Sequence, residues 1–95
     1  MLELYQYEEC PYCQVVRRKL SELGLDYLCR NAPWGRPDKD RPLIAISGDT
    51  KVPYLIDADE GVYLGDTGEI VRYLEERYGA RLRERQRTIL GAGEG

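Results

Sequence analysis

Two thiols three positions apart, Cys10 and Cys13 in the run Cys10-Pro11-Tyr12-Cys13, are the side chains of this sequence best suited to chemistry. At that spacing a disulfide can form and break without rearranging a fold, and the attacking species is a thiolate. The run lies between an apolar, β-prone segment (Leu2, Leu4, Tyr5, Tyr7) and a helix-like one (Val15 to Leu23), where a strand hands over to a helix. There the first sulfur meets free N–H groups and the positive end of the helix dipole, which favour its thiolate. Cys10 is therefore the candidate nucleophile. Cys13, less accessible and less acidic, is the candidate resolver of a mixed disulfide. Glu8 and Glu9 act the other way, because carboxylates near a thiol raise its pKa, and they read as a solvated turn. Tyr12 is either exposed between the thiols or in contact with a bound thiol tripeptide, and the residues leave both open. Cys29 reads as a small apolar filler on a buried strand, with no catalytic part.

Two more stretches carry chemical content. An X–Pro bond such as Val52-Pro53 is cis in only about 5–6% of folded cases, so spacing alone leaves it trans. Gly65-Asp66-Thr67, at a predicted helix start, offers free backbone N–H groups and a short hydroxyl that suit a carboxylate. Taken by itself, the same stretch is an ordinary helix cap.

The hydrophobic pattern supplies the elements that must hold these residues. Residues 2–7 alternate as a first strand, and Pro11 suits the first turn of a helix in which Val16, Leu20 and Leu23 line one face. Arg17, Arg18 and Lys19 fill the opposite, wet face, and Gly24 ends the helix at about residue 23. Leu25 to Cys29 reads as a second strand covered on both sides, parallel to the first across a right-handed crossover. Residues 30–42 hold three prolines and read as an irregular loop, followed by a short helix after Pro42 closed by Gly48. Val52 to Ile56 and Val62 to Leu64 make a β-hairpin. Asp66 caps a last helix over 67–78, with Glu69 three residues on as in a capping box, and Gly79 ends it. Arg81, Arg83, Arg85 and Arg87 continue as an exposed helix, and 91–95 is expected to be a flexible tail. The order β-α-β-α-β-β-α predicts an α/β, thioredoxin-like fold, a four-stranded mixed sheet with helices on both faces.

Composition narrows the class. Ninety-five residues, 42% hydrophobic, suffice for one core and not for two. With 14 basic and 17 acidic residues interspersed, the net charge of −3 points to neither nucleic acid nor a membrane surface as partner. The N-terminus lacks the pattern of a secretory signal, and a cytoplasmic protein is expected. Three cysteines without a histidine suit neither a disulfide framework nor a zinc site, so no metal is expected. An activated thiol must then draw its acidity from a helix terminus or a cation.

Together, Cys10-Pro11-Tyr12-Cys13, Val52-Pro53, and Leu64-Gly65-Asp66-Thr67 followed by Ile70 and Tyr73-Leu74 resemble the glutaredoxins and the N-terminal domain of glutathione S-transferases. The tetrapeptide is of the dithiol glutaredoxin form, while Leu64 to Leu74 is closer to the transferase version. The resemblance covers residues 1–79, leaving 80–95 as a helical extension and tail. It implies a cis bond before Pro53, glutathione held against the Val52 backbone, and the γ-glutamyl end bound at Asp66-Thr67. Lys51 or Arg41 is placed to meet the other carboxylate. Tyr7 stands where many glutaredoxins carry a Lys, and Glu9 replaces a small or hydroxyl residue, so the thiolate environment is less positive than in that family. Transferases also carry an all-helical second domain, absent from these 95 residues, so transferase activity is not expected.

The expected function is a disulfide oxidoreductase that reduces protein or mixed disulfides with glutathione or a similar small thiol as co-substrate, without a tightly bound cofactor. Its site is Cys10 and Cys13, with Tyr12, Lys51, Val52, Pro53, Gly65, Asp66 and Thr67 binding substrate. Its partners are the small thiol and disulfide-containing proteins, and it acts as a monomer. The competing readings are a non-catalytic glutathione-binding or iron–sulfur-carrying module and a thioredoxin-type reductant, the latter weakened by the missing Trp-Cys-Gly-Pro-Cys signature.

Overall fold

A computed structural model describes the backbone of residues 1–94 and the side chains of residues 1–88. The alternating first segment forms β1 (Leu2–Gln6) and the segment begun by Pro11 forms α1 (Pro11–Glu22). These are followed by β2 (Tyr27–Asn31), α2 (Pro37–Ser47), β3 (Tyr54–Asp57), β4 (Val62–Leu64) and α3 (Thr67–Leu74). The sheet order is β2-β1-β3-β4, with β1 parallel to β2 and antiparallel to β3, and β3 antiparallel to β4. This is the mixed, thioredoxin-like architecture that the element order predicts.

The period of two along each strand sorts the core into two layers. Leu2, Leu4 and Leu55 face α1 and α3, where Val16, Leu20, Ile70 and Leu74 are buried against them. Tyr5 and Ile56 face the other way and are covered by Leu43 of α2 and by Ala32. Because α1 and α3 pack on one cluster, their N-caps, Cys10 and Asp66, belong to one rigid layer.

Four local expectations need correction. β2 is an edge strand, and Leu28 to Asn31 are exposed, so it is not covered on both sides. Cys29 is accordingly exposed instead of buried filler. The cause is that Leu43, the buried residue of α2, packs on β1 and β3 and leaves β2 at the rim. Second, α2 starts at Pro37, inside the stretch read as a loop. Pro37 occupies the first turn, where its missing N–H is harmless, and Asp38 and Asp40 there suit the helix dipole. Pro42, inside the helix, removes only the bond its N–H would make to the Asp38 carbonyl, on an exposed face.

Third, Gly79 does not end the last helix. A π turn over Glu75–Gly79 leads directly into α4 (Ala80–Glu94). A Cβ at Gly79 would stand 2.6 Å from Glu75 Oε1, so the glycine here makes room for a carboxylate. That carboxylate bridges Lys19 of α1, at 2.8 Å, and Arg83 of α4, and both cations hold it below the usual carboxylate range. Lys19 is thus drawn off the wet face assigned to it. Fourth, α4 runs through to Glu94, taking in most of the stretch expected to be a flexible tail, and Gly95 lies outside the described residues.

Candidate functional site

Cys10 is the N-cap of α1, with φ −67° and ψ 116°, and Pro11 occupies the first helical position. An N-cap side chain ordinarily accepts a backbone N–H from the first turn. Here the acceptor is a sulfur: the Cys13 N–H donates to Cys10 Sγ at 3.2 Å. The bond satisfies one of the free N–H groups at the start of the helix and fixes the Cys10 sulfur over its first turn. The chain enters the cap through a bond from the Cys10 N–H to the Tyr7 carbonyl at 3.3 Å. Cys10 is 4% exposed and Cys13 fully buried, so both thiols are largely covered. Burial, then the contact with Cys10, pushes the Cys13 thiol up to about 12. Tyr12, like Pro11, is exposed, at 65%, so it stands between the thiols in solvent.

Two residues absent from the sequence-based site belong to it. The Tyr7 phenol is raised above its ordinary value first by the charge of Cys10, then by burial, Cys13 and Glu9. Glu9, expected to act on the thiols, thus acts on this phenol. Arg17, expected on the wet face, turns back over the strand end, and its guanidinium donates to the Gln6 side-chain oxygen, to the Tyr7 carbonyl at 3.3 Å and to the Glu8 carbonyl at 3.2 Å. Its charge acts against the rise of the Cys13 thiol. Gln6, itself buried, continues this chain of bonds to Asn31 at 2.6 Å and to Cys29 at 3.1 Å. The spacing contained a signal for both: Tyr7 is three residues before Cys10, and Arg17 is at i+4 from Cys13, on its helical face.

The Val52-Pro53 bond is cis, with Pro53 buried and Val52 half-buried just before β3. Asp66 caps α3 by accepting the Glu69 N–H at 3.0 Å, as the capping-box spacing predicts, with Thr67 half-buried as the first helical residue. A hollow of about 310 Å³ lies over Tyr7, Ala32, Trp34, Thr50, Lys51 and Val52. A second, of about 350 Å³, is lined by Ser47, Asp49, Lys51, Tyr54, Gly65 and Asp66. Lys51 lines both, so they adjoin at its exposed side chain. Arg41 lies exposed on α2 and lines neither hollow. The structure therefore brings Lys51, Gly65 and Asp66 to one hollow and joins it, through Lys51, to one that runs past Val52 to Tyr7. Among the described residues no group of three or more His, Cys, Asp or Glu side chains is arranged to hold a metal ion. No helix among them is long and apolar enough to cross a membrane.

Residues 4–84 match the family model described as "Glutathione S-transferase, N-terminal domain". A glutathione S-transferase from Rhodospirillum rubrum superposes with a TM-score of 0.69 and 34% identity, over 83% of this chain and 34% of that one. Isozyme E7 of the Drosophila melanogaster glutathione S-transferase gives 0.73 and 26%, over 83% and 35% of the two chains. A glutathione transferase homolog from Sulfitobacter, solved with bound glutathione, shares the fold at a TM-score of 0.68 and 24% identity, over 84% and 38%. The chain thus spans about a third of the length of the solved proteins it matches. No curated protein matches it.

Proposed function

Since the chain belongs to the family of glutathione S-transferase N-terminal domains, we propose that it binds glutathione, or a similar small thiol, and uses it for thiol–disulfide exchange through Cys10 and Cys13. The observation that carries this reading is the Cys10 sulfur serving as the N-cap of α1, with the buried Cys13 supplying the N–H that it accepts. A domain that only held glutathione would need neither thiol in that geometry.

The adjoining hollows suit the tripeptide. Its γ-glutamyl end carries an ammonium and a carboxylate, which fit the Asp66 carboxylate and the N–H groups and hydroxyl at Gly65 to Thr67. Its cysteinyl backbone lies along Val52, and Lys51 meets the glycyl carboxylate. Pro53 shapes the turn beneath it, and Tyr12 contacts the incoming disulfide. Clients are disulfide-containing proteins, met by the monomer in a reducing cytoplasm, with residues 1–79 as the working domain and α4 as an extension.

In the reaction, the Cys10 thiolate attacks one sulfur of a client disulfide. A Cys10 mixed disulfide forms, and the other client sulfur leaves as a thiolate and takes a proton from solvent. The Cys13 thiolate then attacks Cys10 Sγ, closing the Cys10–Cys13 disulfide and expelling the second client thiolate. Two small thiols reduce the enzyme in turn: the first forms a mixed disulfide on Cys10, and the second releases the oxidised thiol dimer.

The test is reduction of a small mixed disulfide by glutathione with the parent, Cys10→Ser and Cys13→Ser. Cys10→Ser is expected to be inactive, and Cys13→Ser to keep the monothiol route only. Full activity of Cys10→Ser refutes the proposal. A second reading, transfer of glutathione to an electrophile, is favoured by the family match itself. It is supported instead if the chain conjugates a chromogenic electrophile and Cys10→Ser does so equally well.

A further inference from the structure

We propose that Arg17 is a positioning residue for the thiol pair: by holding three consecutive residues ahead of Cys10 it sets the approach of the two sulfurs, and it is the cation that the resolving Cys13 thiolate faces. The inference rests on the thiol–disulfide reading above.

The geometry is specific. Arg17 reaches back from the second turn of α1 to the Gln6 side chain and to the carbonyls of Tyr7 and Glu8. Those residues form the whole connection from β1 to the turn before Cys10, and the Tyr7 carbonyl also accepts the Cys10 N–H. One planar guanidinium therefore ties the end of the strand to the start of the helix that carries both thiols. The forked donor arrangement of Arg allows this, and a Lys ammonium cannot reproduce it. Gln6 anchors the far side of the link, because it is buried and its amide donates onward to Asn31.

The groups facing Cys13 are Cys10 from the cap, Tyr7 from the strand end and Arg17 from the next turn of its own helix. Burial and the Cys10 sulfur oppose its ionisation, while the backbone bond at Tyr7, a residue that Arg17 holds, and then the Arg17 charge itself favour it. The step that depends on Arg17 is thus resolution: Cys13 loses its proton to solvent, its electron pair bonds to Cys10 Sγ, and the S–S bond to the departing thiolate breaks. Initial attack by Cys10 depends on the cap bond instead and is less sensitive.

The two steps separate when the reduced full-length protein carrying Cys29→Ser, which removes the exposed third thiol, meets one equivalent of dithiobis(nitrobenzoate), each released thiolate being coloured. A first phase reports attack by Cys10 and a second reports resolution by Cys13. Arg17→Gln is expected to slow the second phase and move its pH profile upward, changing the first phase far less, because the cation that favours the Cys13 thiolate is gone. Arg17→Lys restores the pH profile and recovers only part of the rate. An Arg17→Gln variant that is folded by circular dichroism and resolves with the parental rate and pH profile overturns the inference. If that variant does not fold, Arg17→Lys decides, since a fully parental rate contradicts the need for the fork. A parent without a first phase removes the thiol–disulfide reading, and this inference with it, whereas a parent with both phases and an indifferent Arg17 removes the inference alone.

Discussion

Asp57 ends β3 almost fully buried, at 1% exposure, and its Oδ2 accepts hydroxyls from both Tyr73, at 2.6 Å, and Tyr78. The two rings meet edge to face with centroids 6.5 Å apart, so one carboxylate fixes α3 and the π turn against the end of the sheet. Asp57→Ala removes the acceptor and leaves two phenols without their partner in a partly buried place. At about 1.5–3 kcal/mol for each of the two hydrogen bonds to a charged group, the loss is about 3–6 kcal/mol. Stability of a domain of this kind is about 5–15 kcal/mol, so the loss is a large share of the whole. Urea unfolding followed by far-UV circular dichroism is expected to show it as a lower midpoint at unchanged slope. The thermal midpoint falls by more than about 12 °C, at about 4–8 °C per kcal/mol for this size. Tyr73→Phe and Tyr78→Phe should each lose less than half as much, and the pair should be non-additive because both bond one oxygen. An Asp57→Ala protein within about 0.5 kcal/mol of the parent would refute the reasoning, because that is the range of a surface substitution.

Three further outcomes follow from the same geometry. Burial, then the bond to Asp57, raises both phenols, Tyr78 to about 12 from an ordinary 10.0, so the fold favours the protonated phenol. The stability that this confers is complete below about pH 10 and is lost as pH rises from there toward 12, a fall that urea midpoints measured up the alkaline range should show and Asp57→Ala should flatten. Asp66→Ala deletes the cap on α3 and is expected to cost about 1 kcal/mol and to weaken glutathione binding in calorimetry, whereas unchanged affinity would move the γ-glutamyl end elsewhere. In native protein treated with an alkylating reagent and mapped by mass spectrometry, exposed Cys29 should be modified well before buried Cys13, and equal protection of the two would contradict the edge position of β2.

The parts of this molecule that follow local rules were legible in its sequence. Leu2 to Gln6, the Val16-Leu20-Leu23 stripe and the Asp66-to-Glu69 cap obey strand period, helix period and capping chemistry, and each lies where those rules put it. The cysteine pair at the strand-to-helix junction was legible for the same reason. Residues decided by neighbours distant in sequence were not. Leu25 to Cys29 has the composition of a strand buried on two faces, yet α2 settles on β1 and β3, so β2 becomes the rim and Cys29 surfaces. Gly79 has the look of a terminator and is instead the space into which the Glu75 carboxylate folds between Lys19 and Arg83. Arg17 lies among charged neighbours in sequence, and only the path of the chain from Gln6 to Glu8 gives its guanidinium three acceptors. The cis bond at Val52-Pro53 had no local signal and was implied by family resemblance alone.

The central claim is that Cys10, capped by the Cys13 N–H, is the thiol that exchanges with glutathione. Its most direct measurement is the mass of Cys13→Ser after brief exposure to glutathione disulfide at neutral pH, with peptide mapping of the adduct. The account predicts one glutathione on Cys10, formed far faster than any on Cys29, and released by added glutathione. An unmodified Cys10, or an adduct that forms on Cys29 first, would contradict it.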